Sequence, residues 1–170
     1  MAENKKQLSD SLEDYLEIIL ALEKQKKVAR VKDIAAEMGV LRGSVTSALK
    51  KLSSKELINY EPYSFITLTA RGKRLAEEVT QRHGIIKNFL VEVLQLGADN
   101  AESNACRMEH AIDSVALERL VRFIDYLNNC PRTGPDWITS FAEYCKDSAL
   151  DKKKCESCLS KCNSNFNHED

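Results

Sequence analysis

Cys106, Glu109 and His110 form a Cys-x-x-Glu-His run. At 3.6 residues per helical turn, positions i, i+3 and i+4 share one face. A thiolate, a carboxylate and an imidazole would converge there while Arg107 and Met108 point away. Such a donor set suits a divalent transition metal, and the Cys and His favour Fe, Zn or Mn over Ca or Mg. The plainer reading is a buried Cys with a surface Glu and a lone His on a dimer helix. A second group of soft donors follows in Cys130, Cys145, Cys155, Cys158 and Cys162. The spacing Cys145-x9-Cys155-x2-Cys158-x3-Cys162 fits a tetrahedral Zn site or an iron–sulfur cluster. Residues 155, 158 and 162 also fall on one helical face, where thiols can serve as small buried hydrophobes. All six cysteines lie in the last 65 residues. In a reducing compartment such a cluster reads as metal-binding or redox-active before it reads as disulfides.

The elements that must position these groups are mostly helical, as 6 Gly and 3 Pro in 170 residues suggest. Residues 8–25 alternate apolar and polar with helical period, with Leu12, Tyr15, Leu16, Ile19, Leu20 and Leu22 on the apolar side. A short helix over 31–38, Gly39 and a second helix over 42–55 make a helix-turn-helix, in which small Ala35 permits close approach. Segments 57–61 and 65–69 read as two strands around Pro62-Tyr63-Ser64, which makes the motif winged. A long amphipathic helix spans 71–96, with Gly84 as a bend or a close helix approach. Helices over 100–113 and 115–128 follow, the latter apolar on much of its surface. Residues 129–136 break the pattern, a short helix with Trp137, Ile138, Phe141 and Tyr144 comes next, and the Cys-rich end closes the chain. So much apolar helical surface predicts a dimer interface.

Net charge is only −1, yet the charge is unevenly placed. Residues 1–75 carry 14 Lys/Arg against 10 Asp/Glu, whereas residues 76–128 carry 5 against 9. Within 42–74 the count is 7 against 2, a basic block on the second helix and wing. Arg42, Ser44, Thr46, Lys50 and Lys51 on that helix, and Tyr63 at the wing tip, are the expected contacts to double-stranded DNA. The polar start and the lack of any long apolar run predict a cytoplasmic protein with no membrane partner.

Several short runs occur together over residues 8–128: Leu12-Glu13-Asp14-Tyr15-Leu16-Glu17, Ala29-Arg30-Val31-Lys32-Asp33-Ile34-Ala35, Ser44-Val45-Thr46, Leu68-Thr69-Ala70-Arg71-Gly72, Arg82-His83 and Cys106-x-x-Glu109-His110. In order and spacing they resemble the diphtheria-toxin-repressor family of metal-dependent transcriptional regulators. The nearer type is the short manganese-transport regulator, which lacks an SH3-like domain. By position, the resemblance implies that Asp14, Glu17 and His83 are metal ligands beside Cys106, Glu109 and His110. Asp14 and Glu17 are i, i+3, so one helical face can present both. Manganese-type members usually carry Glu where Cys106 stands, and iron-type members Cys. Iron-type members have further ligands where this chain has Lys87 and Glu102, and a Lys is no ligand for a second metal. The thiolate biases the site toward Fe(II), and the N-terminal carboxylates leave Mn(II) open.

The expectation is a mainly α protein: a winged helix-turn-helix domain (1–72), an all-helical metal-binding and dimerisation domain (73–130) and a short helical Cys-rich extension (131–170). As a non-enzymatic homodimer it would bind operator DNA, as a repressor of iron or manganese homeostasis genes, when Fe(II) or Mn(II) is bound. The rival readings are a redox or iron–sulfur-sensing winged-helix regulator using the C-terminal cysteines, and a small metalloenzyme.

Overall fold

The computed structural model describes residues 8–61, 64–129, 134–147 and 156. Tyr63, Cys130, Cys155, Cys158 and Cys162 lie outside the described residues. The chain divides into two compact units, one ending at His83 and the other starting at Gly84.

The first unit is built on helix α1 (Asp10–Lys26), which buries Leu12, Tyr15, Leu16, Ile19, Leu20 and Leu22. Its apolar stripe forms one core with Ile34 and Ala35 of α2 (Val31–Met38) and Val45, Ala48, Leu49 and Leu52 of α3 (Arg42–Ser54). Burial pushes the Tyr15 phenol up from its ordinary pKa. Gly39 ends α2 in the left-handed conformation at φ +65°, and the Val40 N–H donates back to the Ala35 carbonyl at 3.1 Å. This helix end turns the chain toward α3. The helix-turn-helix follows the sequence pattern closely.

The wing differs from expectation. Its strands are only β1 (Ile58–Asn59) and β2 (Thr67–Leu68), antiparallel with Ile58 opposite Leu68 and Asn59 opposite Thr67. The neighbouring pairing goes to another segment. Ala29 and Ile66 exchange both backbone hydrogen bonds, at 3.1 and 2.9 Å. The Glu23 carboxylate accepts the Leu68 N–H at 2.8 Å, a donor that pairing between β1 and β2 leaves to a side chain. Pairing to distant segments has no period in the strand sequence itself, so strand length was the less legible quantity.

Helix α4 (Ala70–Asn88) starts against the first core, where Ala76 is fully buried. Gly72 permits that start: a Cβ there would fall 1.8 Å from the Leu57 carbonyl oxygen. Gly84 marks no close approach, because a Cβ there meets nothing within 4 Å among the described residues. Beyond Asn88 the helix widens into a π-helical turn, Phe89–Val93, with the Leu94 N–H donating to the Phe89 carbonyl at 3.1 Å. The expected helix to residue 96 therefore ends in a different winding.

The second unit packs Ile86 and Leu90 against Ala101 and Ala105 of α5 (Ala98–Glu109), with Leu117 and Leu120 of α6 (Ser114–Asn129) partly buried on the same core. Helix α5 stops at Glu109 rather than near 113. The Asp113 carboxylate accepts the Ala116 N–H at 2.7 Å and caps the next helix instead. Helix α7 (Gly134–Asp147) begins inside the stretch expected to be a breaker. Pro135 in its first turn removes only an N–H that has no helical partner. Along α6, Val115, Phe123 and Tyr126 stay exposed.

Candidate metal centre

Ala101 and Ala105, both fully buried, fasten α5 to the core of the second unit. Glu109 continues that stripe at i+4 from Ala105, so its carboxylate is carried inward and is 0% exposed. His110 caps the helix with still-helical backbone (φ −81°, ψ −19°), which preserves the expected shared face one residue past the helix end. Its Nε2 lies 3.3 Å from Glu109 Oε1. Cys106, one turn earlier, keeps an exposed thiol. One donor atom each from Cys106, Glu109 and His110 lies within 4.8 Å of the others. The three residues singled out first in the sequence do converge.

The donor set fits a divalent transition metal. A wholly buried carboxylate is costly unless a positive charge faces it, and here it is flanked by a thiol and an imidazole. Soft sulfur and borderline nitrogen beside a hard oxygen describe Fe(II), Zn(II) or Mn(II) better than Ca(II).

Asp14 and Glu17 project from α1 in the first unit and are half-buried, as is His83 near the end of that unit on α4. The same helix holds Glu13, 4% exposed, a buried carboxylate that spacing rules passed over. Its position among Leu12, Tyr15 and Leu16 was the available signal. In the second unit Lys87 Nζ meets Glu102 Oε2 at 2.7 Å. Cys145 is exposed on α7, and the other tail cysteines fall outside the described residues.

Helix α3 presents Arg42, Ser44, Lys50 and Lys51 to solvent, with Thr46 half-buried and its hydroxyl donating to the Arg42 carbonyl at 3.0 Å. Thr46 thus has a local partner that explains its place without DNA. Ser47, not singled out, is exposed on the same stripe, three residues from both Ser44 and Lys50. On the wing side, the Arg30 guanidinium stacks 5.0 Å from the Phe65 ring, a pairing that follows from the Ala29–Ile66 bridge.

A winged helix-turn-helix unit and a helical unit carrying a metal-type donor set define a metal-responsive DNA-binding regulator. Comparison with known proteins agrees. Residues 7–66 match the iron dependent repressor N-terminal DNA binding domain, and residues 69–138 match its metal binding and dimerisation domain. An uncharacterized HTH-type transcriptional regulator of Methanocaldococcus jannaschii is 39% identical over 119 residues, 69% of this chain and 95% of that one. The HTH-type transcriptional regulator MntR of Oceanobacillus iheyensis is 32% identical, over 70% of this chain and 80% of its own. Among solved structures, that of the manganese regulator SloR superposes with a TM-score of 0.62 at 33% identity. It covers 71% of this chain, which in turn spans little more than half (56%) of that longer protein. The chain belongs to the diphtheria-toxin-repressor family of iron- and manganese-dependent transcriptional regulators, which are DNA-binding proteins and not enzymes. No described helix is long and apolar enough to cross a membrane.

Proposed function

We propose that this chain is a homodimeric repressor that binds operator DNA of iron or manganese homeostasis genes when Fe(II) or Mn(II) is bound. The observation that carries this reading is the convergence of Cys106, Glu109 and His110 around a carboxylate with no solvent exposure. Asp14 and Glu17 from the DNA-binding unit and His83 complete the ligand set by family position. Bound metal supplies positive charge and a bond between elements. Ligands drawn from both units then favour one mutual arrangement of those units, and ligand binding shifts the population toward it. In a twofold dimer, that arrangement sets the distance between two α3 helices, which must match half-sites about 34 Å apart or a multiple of it. Arg42, Ser44, Lys50 and Lys51 supply base and phosphate contacts, with Thr46 and Tyr63 as further contacts.

His110→Ala tests the reading. The variant should remain a dimer while metal-stimulated operator binding disappears. Unchanged operator affinity across a metal titration would remove His110, and with it the proposed switch, from the account. The tail is a separate matter. Cys130, Cys145, Cys155, Cys158 and Cys162 together form a proposed Zn or iron–sulfur site, supported by their spacing and by the exposed Cys145 thiol on α7. Anaerobic purification with an absorption spectrum and metal analysis decides between the two, and a colourless, metal-free tail ends the proposal.

A further inference from the structure

The basic block of residues 42–74 has a gap at the wing. It stops at Lys55 and resumes at Arg71, so segment 57–69 contains no Lys or Arg and carries only the charge of Glu61. Cations are dense instead just before and at the start of α2. Lys24, Lys26, Lys27, Arg30 and Lys32 fall between Glu23 and Asp33 with no carboxylate among them. The fold brings the two segments together. Ala29 and Ile66 exchange both backbone hydrogen bonds, which sets their neighbours Arg30 and Phe65 side by side, the guanidinium 5.0 Å from the ring centre. We propose that Arg30, held by Phe65, forms with Lys32 a clamp for a phosphate of the operator backbone, standing in for the cation that the wing lacks.

Phe65 is 51% exposed, so its ring adds little to the core, and the guanidinium lies over its face. An arginine stacked on a ring keeps its N–H edge free, and that planar edge matches two phosphate oxygens. The nearby charges leave it available. Lys26 Nζ lies 3.6 Å from Asp33 Oδ1, and among the described residues no carboxylate pairs with Arg30 or Lys32. Lys26, Val28, Arg30, Lys32 and Asp33 line an open cavity of about 340 Å³, room enough for a phosphodiester group. It lies at the start of α2, where the helix dipole also favours an anion. In a helix-turn-helix on DNA the first helix crosses the backbone while the second enters the groove. Helix α2 is that first helix, so the cavity would meet phosphates while α3 meets bases. The inference rests on the proposed operator binding and extends its surface beyond α3.

The test uses the full chain with Mn(II), or with Fe(II) in the absence of oxygen, and a duplex that it enriches from a random-sequence pool. Affinity for that duplex is then measured across a KCl series. Arg30→Gln and Lys32→Gln should each lower the salt slope by about one unit and leave the base preference unchanged. Phe65→Leu keeps every charge but removes the ring. It should weaken binding roughly two- to fivefold at fixed salt, the factor of an exposed cation–π contact, whereas Phe65→Trp should bind as the native chain does. Replacing the duplex phosphates one at a time by neutral methylphosphonate should reveal a position in each half-site that weakens the native chain but not Arg30→Gln. A native slope in both Arg30→Gln and Lys32→Gln would overturn the clamp and leave α3 as the DNA contact. A lowered unfolding temperature with that native slope would show that the stack only fastens the wing. Phe65→Leu binding as tightly as the native chain would overturn the part played by the ring. Failure of the native chain to enrich any duplex with either metal would instead bring down the repressor reading, and the clamp with it.

Discussion

Among single residues, Cys106 is the proposed ligand whose replacement should move the metal preference most. Glu109 is carried inward by the Ala101–Ala105 stripe and His110 sits at the helix end, whereas Cys106 is an exposed residue. Thiolate is a soft donor and carboxylate a hard one, and Mn(II) ranks below Fe(II) in affinity for most donor sets. Cys106→Glu should therefore shift activation of operator binding toward Mn(II) by roughly tenfold relative to Fe(II), the scale of ligand-environment effects on affinity. The check is operator affinity against each metal under anaerobic conditions. Equal Mn(II)-to-Fe(II) ratios in native and variant protein would show that sulfur does not set the preference. Lys50 offers a second residue-scale test, because its exposure on α3 leaves the fold indifferent to it. Lys50→Ala should lower the salt slope of operator binding by about one unit if it contacts a phosphate. An unaltered slope would remove it from the interface.

Packing between elements turns on small residues more than on propensity. Gly72 opens α4 directly beneath β1, with the Leu57 carbonyl where a Cβ would be. That neighbour is backbone and cannot rotate aside, so Gly72→Ala must displace the helix start or the strand. It should destabilise the first unit by about 1–3 kcal/mol, the usual cost of overpacking. Urea unfolding of the variant beside Gly84→Ala makes the contrast, since Gly84 meets open space and sits within a helix that alanine favours. Equal losses at the two glycines would contradict the packing account. These two positions also show what the sequence made legible. Helical periodicity located α1, α2, α3 and α6 within a residue or two, and helical spacing brought Cys106, Glu109 and His110 together before any coordinates. Periodicity said nothing of which glycine faced a wall, of Ala29 taking up pairing with Ile66, or of Lys87 closing on Glu102. Those are contacts between distant segments, fixed by the fold and not by local spacing. The π-helical turn at Phe89–Val93 belongs with them, because its apolar residues satisfy either winding.

For the whole molecule, the decisive surface is the apolar side of α6. Val115, Phe123 and Tyr126 remain 63%, 44% and 57% exposed in one chain, although the helix is strongly amphipathic in sequence. Phe123 has an edge-on partner in Phe89, 6.4 Å between ring centres, so it is tied to its own unit. Val115 has the most area to give to a neighbour. The matched family domain is one of metal binding and dimerisation, and a symmetric dimer would apply such a face twice. Burying a Val from each chain contributes about 1.5 kcal/mol or more apiece, and a buried unpaired carboxylate reverses the sign. Val115→Asp should therefore raise the dimer dissociation constant by about a hundredfold, since each 1.4 kcal/mol is tenfold, without altering thermal unfolding of the monomer. Analytical ultracentrifugation over a concentration series gives the constant directly. The metal dependence then separates two roles of the second unit. If the dimer merely positions two DNA-binding units, the monomeric variant should still take up Mn(II) through Cys106, Glu109 and His110 while losing operator affinity. Loss of metal along with the dimer would mean that the partner chain helps to build the site, and a dimer as tight as the native one would exclude this face of α6 from the interface.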